Sequence, residues 1–104
     1  MIQEWTQEQY RSDANKGIHL VDIYGTHCGP CKMLAFVLEQ VERDYPDFSI
    51  IKINSDEAKE LATELGVRAV PTLLLLEDGE IVKRQTGSMG VEELLNWIGD
   101  YIYD

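Results

Sequence analysis

The sequence predicts an α/β fold, in which a mixed β-sheet of at least four strands has helices available for both faces. Two observations support this prediction. Residues 18–53 read as strand, long amphipathic helix and strand, an order that requires two parallel neighbouring strands and a right-handed crossover. Two apolar segments then flank Asp78-Gly79, which is typical of an antiparallel hairpin.

Composition and charge narrow the class of protein. Of the 104 residues, 44% are hydrophobic and 27% are charged, as in a globular protein, and the length predicts a single domain spanning residues 1–104. Nine basic and nineteen acidic residues give a net charge of −10, which repels phosphate backbones and anionic membranes. We therefore expect neither nucleic-acid nor membrane binding, and a monomer is the simple expectation.

The first half of the chain contains two helices and two strands. Thr6 and Gln9 form a capping-box pattern that opens a helix ending near Gly17. Ile18–Tyr24 is almost entirely apolar and predicts a strand buried on both faces. After a turn, apolar residues at helical spacing predict a helix running to about residue 46, and the strand Ser49–Ile53 follows. The apolar face of that helix consists of Leu34, Val37, Leu38 and Val41.

The second half contains a short helix, the hairpin and a last helix. The short helix is predicted to end at Gly66, and its apolar face consists of Ala58, Leu61, Ala62 and Leu65. The hairpin strands are Thr72–Glu77 and Glu80–Gln85. The last helix places five apolar side chains inward, namely Val91, Leu94, Leu95, Ile98 and Ile102. The pattern does not predict the order of the strands in the sheet.

Cys28 and Cys31 lie between the end of a buried strand and the start of an amphipathic helix. Free N–H groups and the positive end of the helix dipole favour a thiolate there, so a cysteine can have a pKa below its free value of about 8.5. Pro30 suits the first turn of a helix. We expect exposed Cys28 to attack a client disulfide and Cys31 to resolve the mixed disulfide, after which another donor reduces the pair.

The cellular compartment of the protein affects the interpretation of the cysteine pair. Met1–Trp5 has neither a basic start nor an apolar run, so the sequence predicts no secretory signal and a cytoplasmic location. In a compartment that keeps thiols reduced, such a cysteine pair is expected to be catalytic or metal-binding. A zinc site within one chain is disfavoured, because it would need both His19 and His27, whereas a metal or iron–sulfur site shared across a dimer stays open.

Four segments of the sequence together resemble the thioredoxin family: residues 20–32 (LVDIYGTHCGPCK), residues 66–73 (GVRAVPTL), and the pairs Asp78-Gly79 and Thr86-Gly87. The resemblance covers nearly the whole chain, and the spacing of the CGPC and VPT motifs makes it specific. It implies the thioredoxin fold, with a central mixed sheet of four to five strands flanked by helices. It also implies a short N-terminal strand, which the pattern of Met1–Glu4 does not reveal.

The resemblance further implies a protein-disulfide reductase that maintains cell redox homeostasis. Its partners would be client proteins with disulfides and a thioredoxin reductase that supplies electrons from NADPH. No metal or other cofactor is implied, because the redox-active Cys28–Cys31 disulfide carries the electrons. Gly29 and Pro30 would support the two cysteines.

Asp22 and Lys52 match a buried aspartate and a nearby lysine of the family. From the residues alone, Asp22 is an acid in an apolar strand, where burial raises the pKa and allows proton exchange with a thiol, or else its carboxylate turns to water. The resemblance implies that Asp22 helps Cys31 lose its proton and that Lys52 holds Asp22 charged. Lys52 among isoleucines is equally readable as a solvent-facing edge residue.

Pro71 matches a family proline that is cis and faces the cysteines. A cis bond fixes a tight turn and leaves the backbone of Val70 free to pair with an extended client peptide. The resemblance thus implies that Val70, Pro71 and Gly87 bind substrate. The alternative is a proline that merely begins a strand.

Two aromatic positions of the family differ in this sequence. His27 replaces the tryptophan that usually precedes the first cysteine, and Tyr24 replaces a second tryptophan. Our hypothesis is that protonated His27 stabilises the Cys28 thiolate and makes the protein more oxidising than its relatives. The alternative is an exposed histidine without an electrostatic role.

A binding module is the alternative from another functional class. In that interpretation the fold serves as a subunit or chaperone-like partner and the cysteines are incidental. The presence of both cysteines together with Pro30 and Pro71 argues against it, because a scaffold does not need them.

Overall fold

The computed structural model describes residues 1–103. Its strands are β1 (Ile2–Glu4), β2 (Ile18–Tyr24), β3 (Ile50–Asn54), β4 (Thr72–Glu77) and β5 (Glu80–Thr86). Its helices are α1 (Gln7–Asp13), α2 (Gly29–Asp44), α3 (Lys59–Glu64) and α4 (Val91–Ile98), and a 3₁₀ helix (Gly99–Tyr103) follows α4. Within these residues no helix has the length and apolar character needed to cross a membrane.

The strands form one mixed sheet of the order β1-β3-β2-β4-β5. The central strand β2 pairs parallel with β3 and antiparallel with β4, while β1 extends the parallel side and β5 the antiparallel side. Asp78 and Gly79 have φ values of 51° and 87°, the left-handed conformations that a tight hairpin turn needs. The α/β fold and the hairpin predicted from the sequence are confirmed.

Helices cover both faces of the sheet, and each face has its own core. The core under α2 and α4 includes Leu20, Leu34, Leu38, Ile50, Leu73, Leu94 and Ile98. The core under α1 and α3 includes Trp5, Val21, Ile23, Ile51, Leu61 and Leu74. Since successive strand residues point to opposite faces, Leu20, Asp22 and Tyr24 all lie on the face covered by α2.

The main differences from the sequence pattern are an added N-terminal strand and the ends of two helices. The N-terminal strand that the family resemblance implied is present as β1, which pairs with Ile50–Lys52 of β3. The capping box of α1 is confirmed, but α1 ends at Asp13 rather than near Gly17. The last helix ends at Ile98, because Gly99 has a φ of 63° that breaks the helical backbone.

Gly79→Ala is expected to destabilise the protein by roughly 1–2 kcal/mol. A Cβ at Gly79 would lie 3.2 Å from the Cα of Asn15, and φ there is +87°. In the matched control Gly29→Ala the Cβ meets no atom within 4 Å, so its free energy of unfolding should stay within about 0.5 kcal/mol of wild type. Urea denaturation measures both changes, and equal midpoints for the two variants would contradict the prediction.

Candidate active site

Cys28 forms the N-cap of α2. Its backbone is extended (φ −142°, ψ 107°), and its Sγ accepts a hydrogen bond of 3.2 Å from the backbone N–H of Cys31. Gly29 and Pro30 follow as exposed residues of the first turn. The Cys28 sulfur therefore lies where free N–H groups and the helix dipole stabilise negative charge.

The two cysteines are joined by a disulfide and differ in exposure. Their Cα atoms are 5.2 Å apart. Cys31 is only 5% exposed, whereas Cys28 is partly exposed at the surface. Of the two sulfurs, Cys28 is therefore the one that a large substrate can reach.

The loop before β4 lies beside Cys28. The Val70–Pro71 bond is cis, and the carbonyl oxygen of Val70 lies 3.8 Å from the Sγ of Cys28. The N–H of Gly87 donates a 2.8 Å hydrogen bond to the carbonyl of Pro71. Within residues 1–103, Val70 takes no part in a backbone hydrogen bond. The structure thus places Val70 next to Cys28 and joins the following residue, Pro71, to Gly87.

Asp22 is fully buried on the face of β2 that α2 covers. Within the described residues neither of its carboxyl oxygens has a hydrogen-bond partner. Burial raises the pKa of Asp22 to about 7, while the charge of Lys52 lowers this pKa and that of Glu4 raises it. The carboxyl group therefore changes its charge near neutral pH.

Lys52 pairs in register with Asp22. Because β3 lies between β1 and β2, Lys52 does not belong to an edge strand. Its Nζ is 4.9 Å from the centroid of the Tyr24 ring. A cavity of about 220 Å³ lies beside it, lined by Tyr24, Gly25, Thr26, Cys31, Lys32, Ala35 and Lys52.

The two histidines lie at opposite ends of the molecule. His27 is exposed next to Cys28, whereas His19 contacts Ser49 Oγ and the carbonyl of Lys16, each at 2.7 Å. Across residues 1–103 no cluster of three or more His, Cys, Asp and Glu side chains is arranged to hold a metal ion.

Sequence reasoning missed Gly25, Thr26 and Asp56. A Cβ on Gly25 would lie 3.1 Å from Cγ2 of Val70, so this glycine allows the two loops to approach each other. The N–H of Thr26 donates to Oδ2 of Asp56 at 2.9 Å, and this bond lowers the pKa of Asp56. The carboxyl ends of parallel β2 and β3 meet at one edge of the sheet, so the polar run after β3 is a signal that would have indicated this contact.

Asp22→Asn is expected to make the stability of the oxidised protein less dependent on pH. The unfolded chain ionises Asp22 at about pH 4, but the folded chain keeps the proton up to about pH 7. The wild type therefore loses stability as pH rises between these values, by up to about 4 kcal/mol, whereas the variant does not. Urea denaturation across this range measures the difference, and parallel curves for both proteins would contradict it.

Comparisons with known proteins agree with this geometry. The family model described as Thioredoxin matches residues 1–100. A thioredoxin of Bacillus subtilis is 39% identical over 95 residues, covering 88% of this chain and 91% of that protein. A thioredoxin of Listeria monocytogenes is 36% identical over 103 residues, covering 98% of this chain and 100% of that protein. The chain therefore belongs to the thioredoxin family.

Proposed function

We propose that the chain reduces disulfides of client proteins by dithiol–disulfide exchange through Cys28 and Cys31. Its family and its cysteine pair make it a thiol–disulfide oxidoreductase. The unequal exposure of the two sulfurs at the start of α2 carries the assignment of roles, with Cys28 as the attacking and Cys31 as the resolving thiol.

The first step is attack on the client. The Cys28 thiolate attacks one sulfur of the client disulfide, that disulfide breaks, and the second client sulfur leaves as a thiolate. The first client sulfur remains bonded to Cys28. Val70 supports this step, because its carbonyl adjoins Cys28 and its backbone groups are available to an extended peptide.

The second step releases the client. Asp22 accepts the proton of the Cys31 thiol, and the resulting thiolate attacks the Sγ of Cys28. The bond between Cys28 and the client breaks, and the client sulfur leaves as a thiolate. Two electrons have then passed to the client, and the chain carries the Cys28–Cys31 disulfide. The pKa of Asp22 near 7 supports its role, since a base that titrates near the working pH transfers protons efficiently.

The regeneration of the reduced protein and its cellular location follow from this chemistry. An external donor must reduce the disulfide again, and we infer a thioredoxin reductase from the family. The exchange uses no metal or other cofactor, because the cysteine pair holds both electrons. A compartment that keeps thiols reduced suits this cycle, which supports a cytoplasmic location. The match over residues 1–100 supports a single domain.

Serine variants test the roles of the two cysteines. With a dithiol donor, the wild type is expected to reduce insulin disulfides, while Cys28→Ser and the double serine variant lose about 100-fold or more of this rate. Cys31→Ser keeps the first step and is expected to accumulate a mixed disulfide with the client, which non-reducing electrophoresis detects. A wild type that is no faster than the double variant would sink the proposed function.

His27→Trp tests the role of the residue before Cys28. The charge of a protonated imidazole stabilises a neighbouring thiolate, so its removal is expected to raise the pKa of Cys28 and to lower the reduction potential by roughly 10 mV or more. Thiol alkylation against pH and equilibration with glutathione measure these quantities. His19→Gln, at the far end of β2, is the control. Unchanged values in His27→Trp would leave the histidine without an electrostatic role.

A further inference from the structure

Three ionisable side chains form a row across the sheet. Glu4 pairs in register with Lys52, and Lys52 pairs with Asp22. Residues in register on neighbouring strands share a face, so all three side chains lie on the face that α2 covers. Lys52 therefore stands between two carboxyl groups, one exposed and one fully buried.

Tyr24 connects the exposed carboxylate to the central strand. Its hydroxyl donates a hydrogen bond of 2.6 Å to Oε2 of Glu4, across the intervening strand β3. Its ring covers the ammonium group of Lys52, with 4.9 Å between Nζ and the centroid, a distance suited to a cation–π contact. Burial and the bond to Glu4 raise the pKa of Tyr24, so its hydroxyl remains a donor.

In this arrangement the described residues give the ammonium group of Lys52 no carboxylate partner. Within the described part of the chain, Lys52 forms an ion pair with neither Glu4 nor Asp22. Glu4 is the exposed carboxylate in register with Lys52, and it accepts the hydrogen bond from Tyr24 instead. Lys52 and Cys31 both line one cavity, which places the lysine side chain on the same side of the sheet as the resolving residue.

Building on the function proposed above, we propose that Glu4 and Tyr24 are positioning residues for the resolving step of exchange. Their hydrogen bond keeps the ammonium group of Lys52 free of Glu4, so that its charge acts on Asp22. Asp22 then accepts the proton of Cys31 at a pH that this row of side chains sets.

The groups around Asp22 come from every element packed against it. β4 presents the apolar Leu73, which pairs with Asp22 and contributes no charge. The charged and titratable groups of the row are Glu4 from β1, Lys52 from β3 and Tyr24 from β2 itself, and Cys31 and Lys32 of α2 line the cavity beside Lys52. The charge of Glu4 raises the pKa of Asp22 and the charge of Lys52 lowers it, so a change in either residue is expected to shift this pKa.

Two conservative substitutions are expected to move the titration of Asp22 in opposite directions. Glu4→Gln removes a negative charge from the row, so the pKa of Asp22 falls by about 0.5 units. Tyr24→Phe keeps the ring but frees the Glu4 carboxylate to pair with Lys52, so the pKa of Asp22 rises by about the same amount. Glu4→Asp keeps the charge and is expected to stay near wild type.

The direct measurement is an NMR titration of the ¹³C-labelled Asp22 carboxyl group in the oxidised full chain, from about pH 5 to about pH 9. Glu80→Gln is the matched control, since it removes an exposed acidic residue at the start of β5, on the opposite edge of the sheet. The second readout is the pH profile of mixed-disulfide release, which should shift with the titration, whereas a merely structural role would lower the rate at every pH.

The outcomes separate this inference from the proposed function. Opposite shifts in Glu4→Gln and Tyr24→Phe, with none in Glu80→Gln, support the inference. If the wild type reduces protein disulfides but Asp22 titrates alike in all variants, the positioning role is overturned and the exchange function stands. If the wild type reduces no protein disulfide, both proposals fail together.

Discussion

The packing of α2 against the central strand β2 is the contact on which the rest of the site depends. Leu34 and Leu38 of the helix share a fully buried core with Leu20 of the strand. This packing holds the N-terminus of α2, and with it Cys28, at the carboxyl end of β2. The same strand presents Asp22 on the same face, so a helix and a strand position the reactive groups and no long loop is needed.

Burial of Asp22 links stability to chemistry. Within residues 1–103 its carboxyl group has no hydrogen-bond partner, and an unpaired buried polar group is costly for folding. The same burial raises the pKa of Asp22 to about 7, which suits proton transfer with a thiol near neutral pH. Lys52 moderates the cost of the ionised form without forming an ion pair in the described residues.

The hydrophobic pattern of the sequence predicted the fold correctly where its local signals were strong. β2 and β4 match the predicted residues, because long apolar runs and the turn at Asp78-Gly79 are local signals. β1 has only one apolar residue among Ile2–Glu4, and its extended form depends on pairing with β3. The pattern extended the last helix to Ile102, because apolar periodicity does not report the positive φ of Gly99.

The sequence by itself determined which chemistry this protein carries. Two cysteines one helical turn apart, between a buried strand and an amphipathic helix, are a local arrangement, and so the pattern could reveal it. Only the tertiary structure decided how the neighbouring side chains meet: Lys52 lies under the ring of Tyr24, and the Tyr24 hydroxyl donates to Glu4. Those contacts join residues far apart in the chain and depend on strand order and register, which hydrophobic periodicity does not encode.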